Sequence, residues 1–204
     1  MMTSHMQSGQ PVRWLLLLTF IGAFSCAAQA GVSVAQPAPD FTGIDSKGST
    51  HSLSQYRGKT VVLEWTNHDC PYVRKHYQSG NMQKLQKAAI SDGIVWLSII
   101  SSASGKQGHV SGAQANALTS QRNASPSAVI LDEKGDIGRL YGAKTTPHMY
   151  IIDPKGTLVY MGCIDNIPSS NQSDIDRATN YVSSALQSLK EGKVITDSVT
   201  RPYG

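Results

Sequence analysis

The stretch Thr60-Val61-Val62-Leu63-Glu64-Trp65 constrains the fold more than any other part of this chain. It lacks the alternation of a half-exposed strand, and its β-branched content marks extended structure. A strand that is apolar on both sides has to be covered on both faces. Ile94–Ile100 repeats the pattern, and the residues between, from about Pro71 to Ala89, read as helix interrupted near Gly80-Asn81. Strands alternating with helices define a layered α/β domain.

The remaining segments fit around that centre. Asp40–Ile44 and Ser49–His51 flank Asp45-Ser46-Lys47-Gly48, a turn signal, and form an N-terminal β-hairpin. Val110–Arg122 is expected to be helix, Ser127–Leu131 strand and Asp136–Tyr141 a short helix. Tyr150–Ile152 and Thr157–Met161, joined through Asp153-Pro154-Lys155-Gly156, form a second hairpin. Ile175, Ala178, Val182, Leu186 and Leu189 recur at spacings of three and four, which predicts a closing helix over Ile175–Leu189. The expectation is a central mixed β-sheet flanked by helices on both faces, with no repeat and no second domain.

Composition narrows the function. A formal charge of +4 spread along 204 residues leaves no basic block suited to nucleic acid. Three cysteines exclude a disulfide-rich scaffold and a four-cysteine zinc site.

The first 30 residues read as a signal peptide. Arg13 precedes an apolar run of 11 residues, Trp14–Phe24, and Ala28-Gln29-Ala30 has the small-x-small pattern of a cleavage site. The run is shorter than the about 20 residues that span a bilayer, so no stable membrane span is expected. Cleavage after Ala30 implies a secreted or periplasmic protein. Cys26 as a lipoprotein cysteine is the lesser alternative, because Ala23-Phe24-Ser25 matches a lipobox poorly. Residues 31–36 then form a linker, 37–190 the domain and 191–204 a C-terminal tail. Cys70 and Cys163 remain, in a compartment that permits disulfide chemistry.

Cys70 lies just beyond the Thr60–Trp65 strand, with Pro71 at the first helical position, where its missing N–H costs nothing. A helix N-terminus presents unpaired N–H groups and partial positive charge, a setting that favours a thiolate and makes a cysteine nucleophilic. Asn67, His68, Asp69, Arg74 and Lys75 give it polar surroundings, although Asp69 opposes thiolate formation.

In this arrangement the chain resembles the thioredoxin-like redoxins related to alkyl hydroperoxide reductases and thiol-specific antioxidant proteins. The resemblance covers about Gln36–Lys190. It rests on Pro37-Ala38-Pro39-Asp40-Phe41, on Val61–Trp65 leading to Cys70-Pro71-Tyr72-Val73, on Thr146-Pro147, and on the Tyr150–Met161 hairpin. It implies a thioredoxin fold, a cis Thr146–Pro147 bond lying against Cys70, and no cofactor. It also implies that Glu64 corresponds to the buried acid that relays protons to the active thiol, a role in which burial would raise its pKa. Related chains run on from an Arg-Pro-Tyr-Gly segment to another cysteine; Arg201–Gly204 matches that segment.

Two positions depart from the family pattern. Val73 stands where a Cys-x-x-Cys site has its second cysteine, so the site is Cys-Pro-Tyr-Val with a single thiol. Leu63 and Asn67 stand where peroxiredoxins carry a proline and a hydroxyl residue, and Thr66 is one place out of register. Cys70 can therefore form a mixed disulfide or a sulfenic acid, and needs a second thiol from elsewhere. Cys163 is a possible resolving residue. The family strand order sets it two strands away, about 10 Å, whereas a disulfide needs Cα atoms within about 7 Å.

Three readings stay open. One is an exported thiol oxidoreductase or peroxidase-like antioxidant, with Cys70 as nucleophile, Thr146 and Pro147 shaping its groove, and Glu64 as proton relay. Its partner is a thiol or disulfide protein, a small-molecule thiol, or a hydroperoxide. The second is a redox-inactive binding module, and the third a copper carrier using Cys70 with His68 and His76.

Overall fold

The computed structural model describes residues 1–2 and 31–204, so the expected signal peptide, its expected cleavage site and Cys26 lie outside the described residues. A seven-stranded sheet forms the centre. Its strands are β1 (Thr42–Asp45), β2 (Thr50–Ser52), β3 (Val61–Trp65), β4 (Val95–Ile100), β5 (Ala128–Leu131), β6 (His148–Ile152) and β7 (Leu158–Gly162). Their order across the sheet is β2-β1-β5-β4-β3-β6-β7. β3, β4 and β5 run parallel, whereas β6, β7 and the β1–β2 hairpin pair antiparallel, so the sheet is mixed as expected.

The unbroken apolar run of β3 follows from this position. Val61, Leu63 and Trp65 enter one core with Leu97, Ile99, Tyr141 and Tyr150. Val62 enters the opposite core with Val73, Trp96, Met149 and Tyr160. Helices α1 (Pro71–Gln78), α2 (Asn81–Ser91) and α5 (Tyr181–Lys190) cover the second core, and α4 (Asp136–Tyr141) closes the first. Helix α3 (Gly112–Gln121) packs Ala115 into a smaller cluster with Ile100 and Val110. This is the thioredoxin fold.

The closing helix is shorter than its apolar periodicity implies. Gln172–Arg177 forms a 3₁₀ turn, and α5 starts only at Tyr181, leaving Ile175 and Ala178 outside it. Asn180 sets the start, because its side chain accepts the N–H of Ser183 and satisfies one orphan donor of the first turn. Asp174 holds the preceding turn through bonds from Ser169 and Arg177.

Linker and tail are both ordered along β7. Ala35 N–H donates to the Leu158 carbonyl, and Leu158 N–H to that of Gln36. Val199 pairs in parallel with Met161 further along the strand. The outer edge of β7 is thereby covered at both ends, which removes the unpaired row that an edge strand presents.

Two histidines are buried. His76 is pushed down to about 4 from its ordinary 6.5, first by loss of solvation, although Asp165 opposes the shift. His148 is pushed to about 4 by burial and by nearby Lys144. Both rings are neutral in the folded protein, whereas the unfolded chain binds protons near pH 6.5. Stability carried by the neutral rings is therefore present above that pH and lost as pH falls toward about 4, at up to about 1.4 kcal/mol per pH unit for each ring. Urea unfolding at stepped pH should show this decline, and His148→Gln should reduce it. A profile flat across the window would contradict it.

Candidate functional site

Four residues separate the end of β3 from Cys70, and they make a tight turn. Asn67 Oδ1 accepts from Asp69 N–H at 2.9 Å, and the Asn67 carbonyl accepts from Cys70 N–H at 3.1 Å. Asn67 thus serves as a backbone brace at the position where peroxiredoxins carry a hydroxyl. Cys70 is the N-cap of α1 in extended conformation, Pro71 opens the helix, and the N–H groups of its first turn lack intrahelical acceptors.

The thiol points across the turn to the start of β6. Cys70 Sγ donates to the Thr146 carbonyl at 3.0 Å, and the Thr146–Pro147 bond is cis. Cys70 is a buried residue, 8% exposed, and lines a cleft of about 420 Å³ with Trp65, Thr66, Tyr72, Lys144 and Thr146. Cys70, Thr146 and Pro147 are therefore brought together. The Cys70 sulfur is flanked by a backbone carbonyl.

Glu64 lies beneath the site in the core under α1 and α2, wholly buried. Oε1 accepts from Tyr77 at 2.8 Å, and Oε2 from Trp96 at 2.8 Å, Ser98 at 2.9 Å and Gln86 at 3.2 Å. Burial pushes its pKa up while these donors pull it down. None of the four is Cys70. Tyr77, two turns along α1, links the acid to the helix that carries the thiol, and burial together with Glu64 pushes its hydroxyl up in turn.

Cys163 follows β7 on the far side of β6. Its thiol donates to Thr200 Oγ1 at 3.2 Å and lines a separate cavity of about 580 Å³. Burial pushes that thiol up. Both cysteines are free.

The copper grouping does not assemble. His68 faces Asp69 at 3.5 Å, whereas His76 is wholly buried, its Nδ1 against Asn81 and its Nε2 3.8 Å from Asp165. Residues two before and six after a helix-start cysteine point in different directions, and among the described residues no His, Cys, Asp and Glu side chains gather as a metal site.

A pair that sequence reading missed lies at the Cys163 cavity, which Asp165 lines. Lys75 Nζ meets Asp165 Oδ2 at 3.1 Å, with the side chains 0% and 2% exposed, and also donates to the Ile167 carbonyl at 3.0 Å. Tyr203 donates to the other oxygen of Asp165 and packs its ring on Tyr72 at 5.6 Å. An aromatic residue directly after Pro202 was the available signal.

A thioredoxin fold that presents a cysteine at a helix start beside a cis proline defines a class of thiol protein. The AhpC/TSA family matches residues 34–161. The chain belongs to that family. It is 26% identical over 135 residues to the thiol-disulfide oxidoreductase ResA of Geobacillus kaustophilus, a match covering 63% of this chain and 68% of the relative. Among solved structures, an uncharacterised protein from Geobacillus kaustophilus superposes with TM-score 0.68 at 20% identity, over 83% of this chain and 87% of that one. The exposed lipoprotein thioredoxin of Streptococcus pneumoniae superposes with TM-score 0.53 at 24% identity, over 75% and 99%. At these identities the structural likeness is one of fold.

The raised pKa of Glu64 carries a sign that can be checked. The folded protein holds the proton to higher pH than the unfolded chain, so ionisation stabilises the unfolded state first. As pH rises from 4 to 8, wild type should lose stability relative to Glu64→Gln, which has no carboxyl to ionise. A stability gap that is constant across that range, measured by urea unfolding, would contradict the assignment.

Proposed function

We propose that this protein is an exported thiol–disulfide oxidoreductase in which Cys70 is the nucleophile and an external thiol completes the cycle. The observation that carries the reading is the sulfur at the start of α1, 3.0 Å from the carbonyl that precedes Pro147. The Cys70 thiolate attacks one sulfur of a disulfide, a new S–S bond forms to Cys70, and the other half leaves as a thiolate. Val73 is wholly buried where a second cysteine would resolve this product, so a thiol from a partner protein or small molecule must attack it. Thr146 and Pro147 shape the groove in which the three sulfurs align. Glu64 and Tyr77 act as positioning residues, fixing α1 on the sheet and offering a buried proton store. Cys163 is a resolving candidate only after movement, since strand β6 stands between β7, which it follows, and β3, which leads to Cys70. Export rests on the Trp14–Phe24 run and the Ala28–Ala30 site. Family membership and the ResA relatives support a redox role. Leu63 and Asn67 at the peroxide-orienting positions weigh toward disulfide exchange over peroxide reduction.

The test is single-turnover reaction with a low-molecular-weight disulfide and, in parallel, hydrogen peroxide, with the product located by mass. A mixed disulfide on Cys70 is expected. Cys70→Ser should lose about 1,000-fold or more, while Cys163→Ser stays within about threefold. Retained turnover in Cys70→Ser would overturn the assignment, and sulfenic acid as the faster product would convert it to a peroxidase.

A further inference from the structure

We propose that Ser198–Gly204 is a strap that restricts Cys70 to small partners, with Tyr203 as the specificity-determining anchor. The inference rests on the reading of Cys70 as the nucleophile and names the class of partner it takes.

The strap is built into the sheet edge. Met161 N–H donates to the Ser198 carbonyl at 3.0 Å, and Thr200 N–H to the Met161 carbonyl at 3.1 Å. The Thr200 hydroxyl then accepts from Cys163 N–H at 3.0 Å and from its thiol at 3.2 Å, and lies 2.8 Å from the Tyr160 hydroxyl. Its far end is clamped to α1, the helix that Cys70 begins. The Tyr203 hydroxyl donates to Asp165, whose other oxygen holds the buried Lys75 ammonium at 3.1 Å. That ammonium also lies 5.7 Å from the centre of the Tyr203 ring, and the ring packs on Tyr72, which lines the Cys70 cleft. A buried ion pair of this kind is costly to leave with a vacant partner, which makes the anchor an ordered one.

The position of the strap gives it a consequence. Gly204 lies so close to Thr146 that a Cβ on it would run into the Thr146 carbonyl and sit 3.3 Å from the Thr146 nitrogen. That same carbonyl contacts Cys70 Sγ. Gly204 and Thr145 line both the Cys70 cleft and the Cys163 cavity, so the end of the strap lies between them. A cysteine within a polypeptide brings two arms of backbone with its sulfur, and one flank of Cys70 is already filled with backbone. A low-molecular-weight disulfide or thiol needs only the cleft of about 420 Å³, which matches pockets that enclose small ligands.

The experiment compares Cys70 labelling, located by peptide mapping, with N-ethylmaleimide and with a maleimide carried on a long polyethylene glycol chain. The same proteins are offered oxidised glutathione and intact insulin as disulfides. Wild type should favour the small member of each pair. Tyr203→Ala should raise the rates with both large reagents about tenfold, with the small ones changed less than about threefold. Tyr203→Phe keeps the ring on Tyr72 and Lys75 but loses the bond to Asp165, and should shift the ratio in the same direction by less. It serves as the test if Tyr203→Ala does not fold. Equal wild-type rates with the two maleimides, or a ratio unmoved in the folded variants, would overturn the strap. A maleimide ratio that moves while neither disulfide is exchanged would sink the nucleophile reading and leave the strap as a wall.

Discussion

Burial of β3 on both faces is the constraint from which the site follows. Val61, Leu63 and Trp65 are locked into one core and Val62 into the other, so the strand has no freedom to slide or rotate. A slip of one residue would turn Glu64 into the core that holds Tyr141 and Tyr150, away from the donors that satisfy it. The strand therefore delivers the following turn to one place. Asn67 and Pro71 convert that turn into a helix start with Cys70 at its cap. Pairing of Trp65 with His148 brings the Thr146–Pro147 segment alongside.

Polar groups in the two interiors serve the same end. Glu64 is tolerated because four donors from α1, α2 and β4 meet its oxygens, which ties both helices to the sheet at a single point. The Lys75–Asp165 pair does the equivalent on the outer flank, joining α1 to the segment after β7. Each contact restrains the helix that carries the thiol. In the proposed reaction, a thiol held in this way loses little freedom when a partner sulfur arrives in line.

Much of this architecture was legible in the chain. Apolar runs marked β3 and β4, Pro71 marked the helix start, and Asp153–Gly156 marked the second hairpin, because each signal is local. The closing helix was misread because apolar spacing continued through Ile175 and Ala178, while the Asn180 cap settled the start. The strap, the Lys75–Asp165 pair and the burial of His76 were not legible. They depend on tertiary partners, such as Asp165 at 90 positions from Lys75, or on the covering of an edge, and a lysine on a helix ordinarily reads as solvated. The cis bond and the proximity of Cys70 to Thr146 came from family resemblance, not from any local pattern.

The central proposal is that the folded protein keeps the Cys70 sulfur reactive and within reach. The most direct measurement is the rate of alkylation by iodoacetamide at neutral pH, mapped to each cysteine, in the folded protein and in the same chain unfolded in urea. Cys70 should react faster folded than unfolded, and Cys163 slower. A folded Cys70 that reacts more slowly than its unfolded counterpart would contradict the account, leaving a thioredoxin fold without a working thiol.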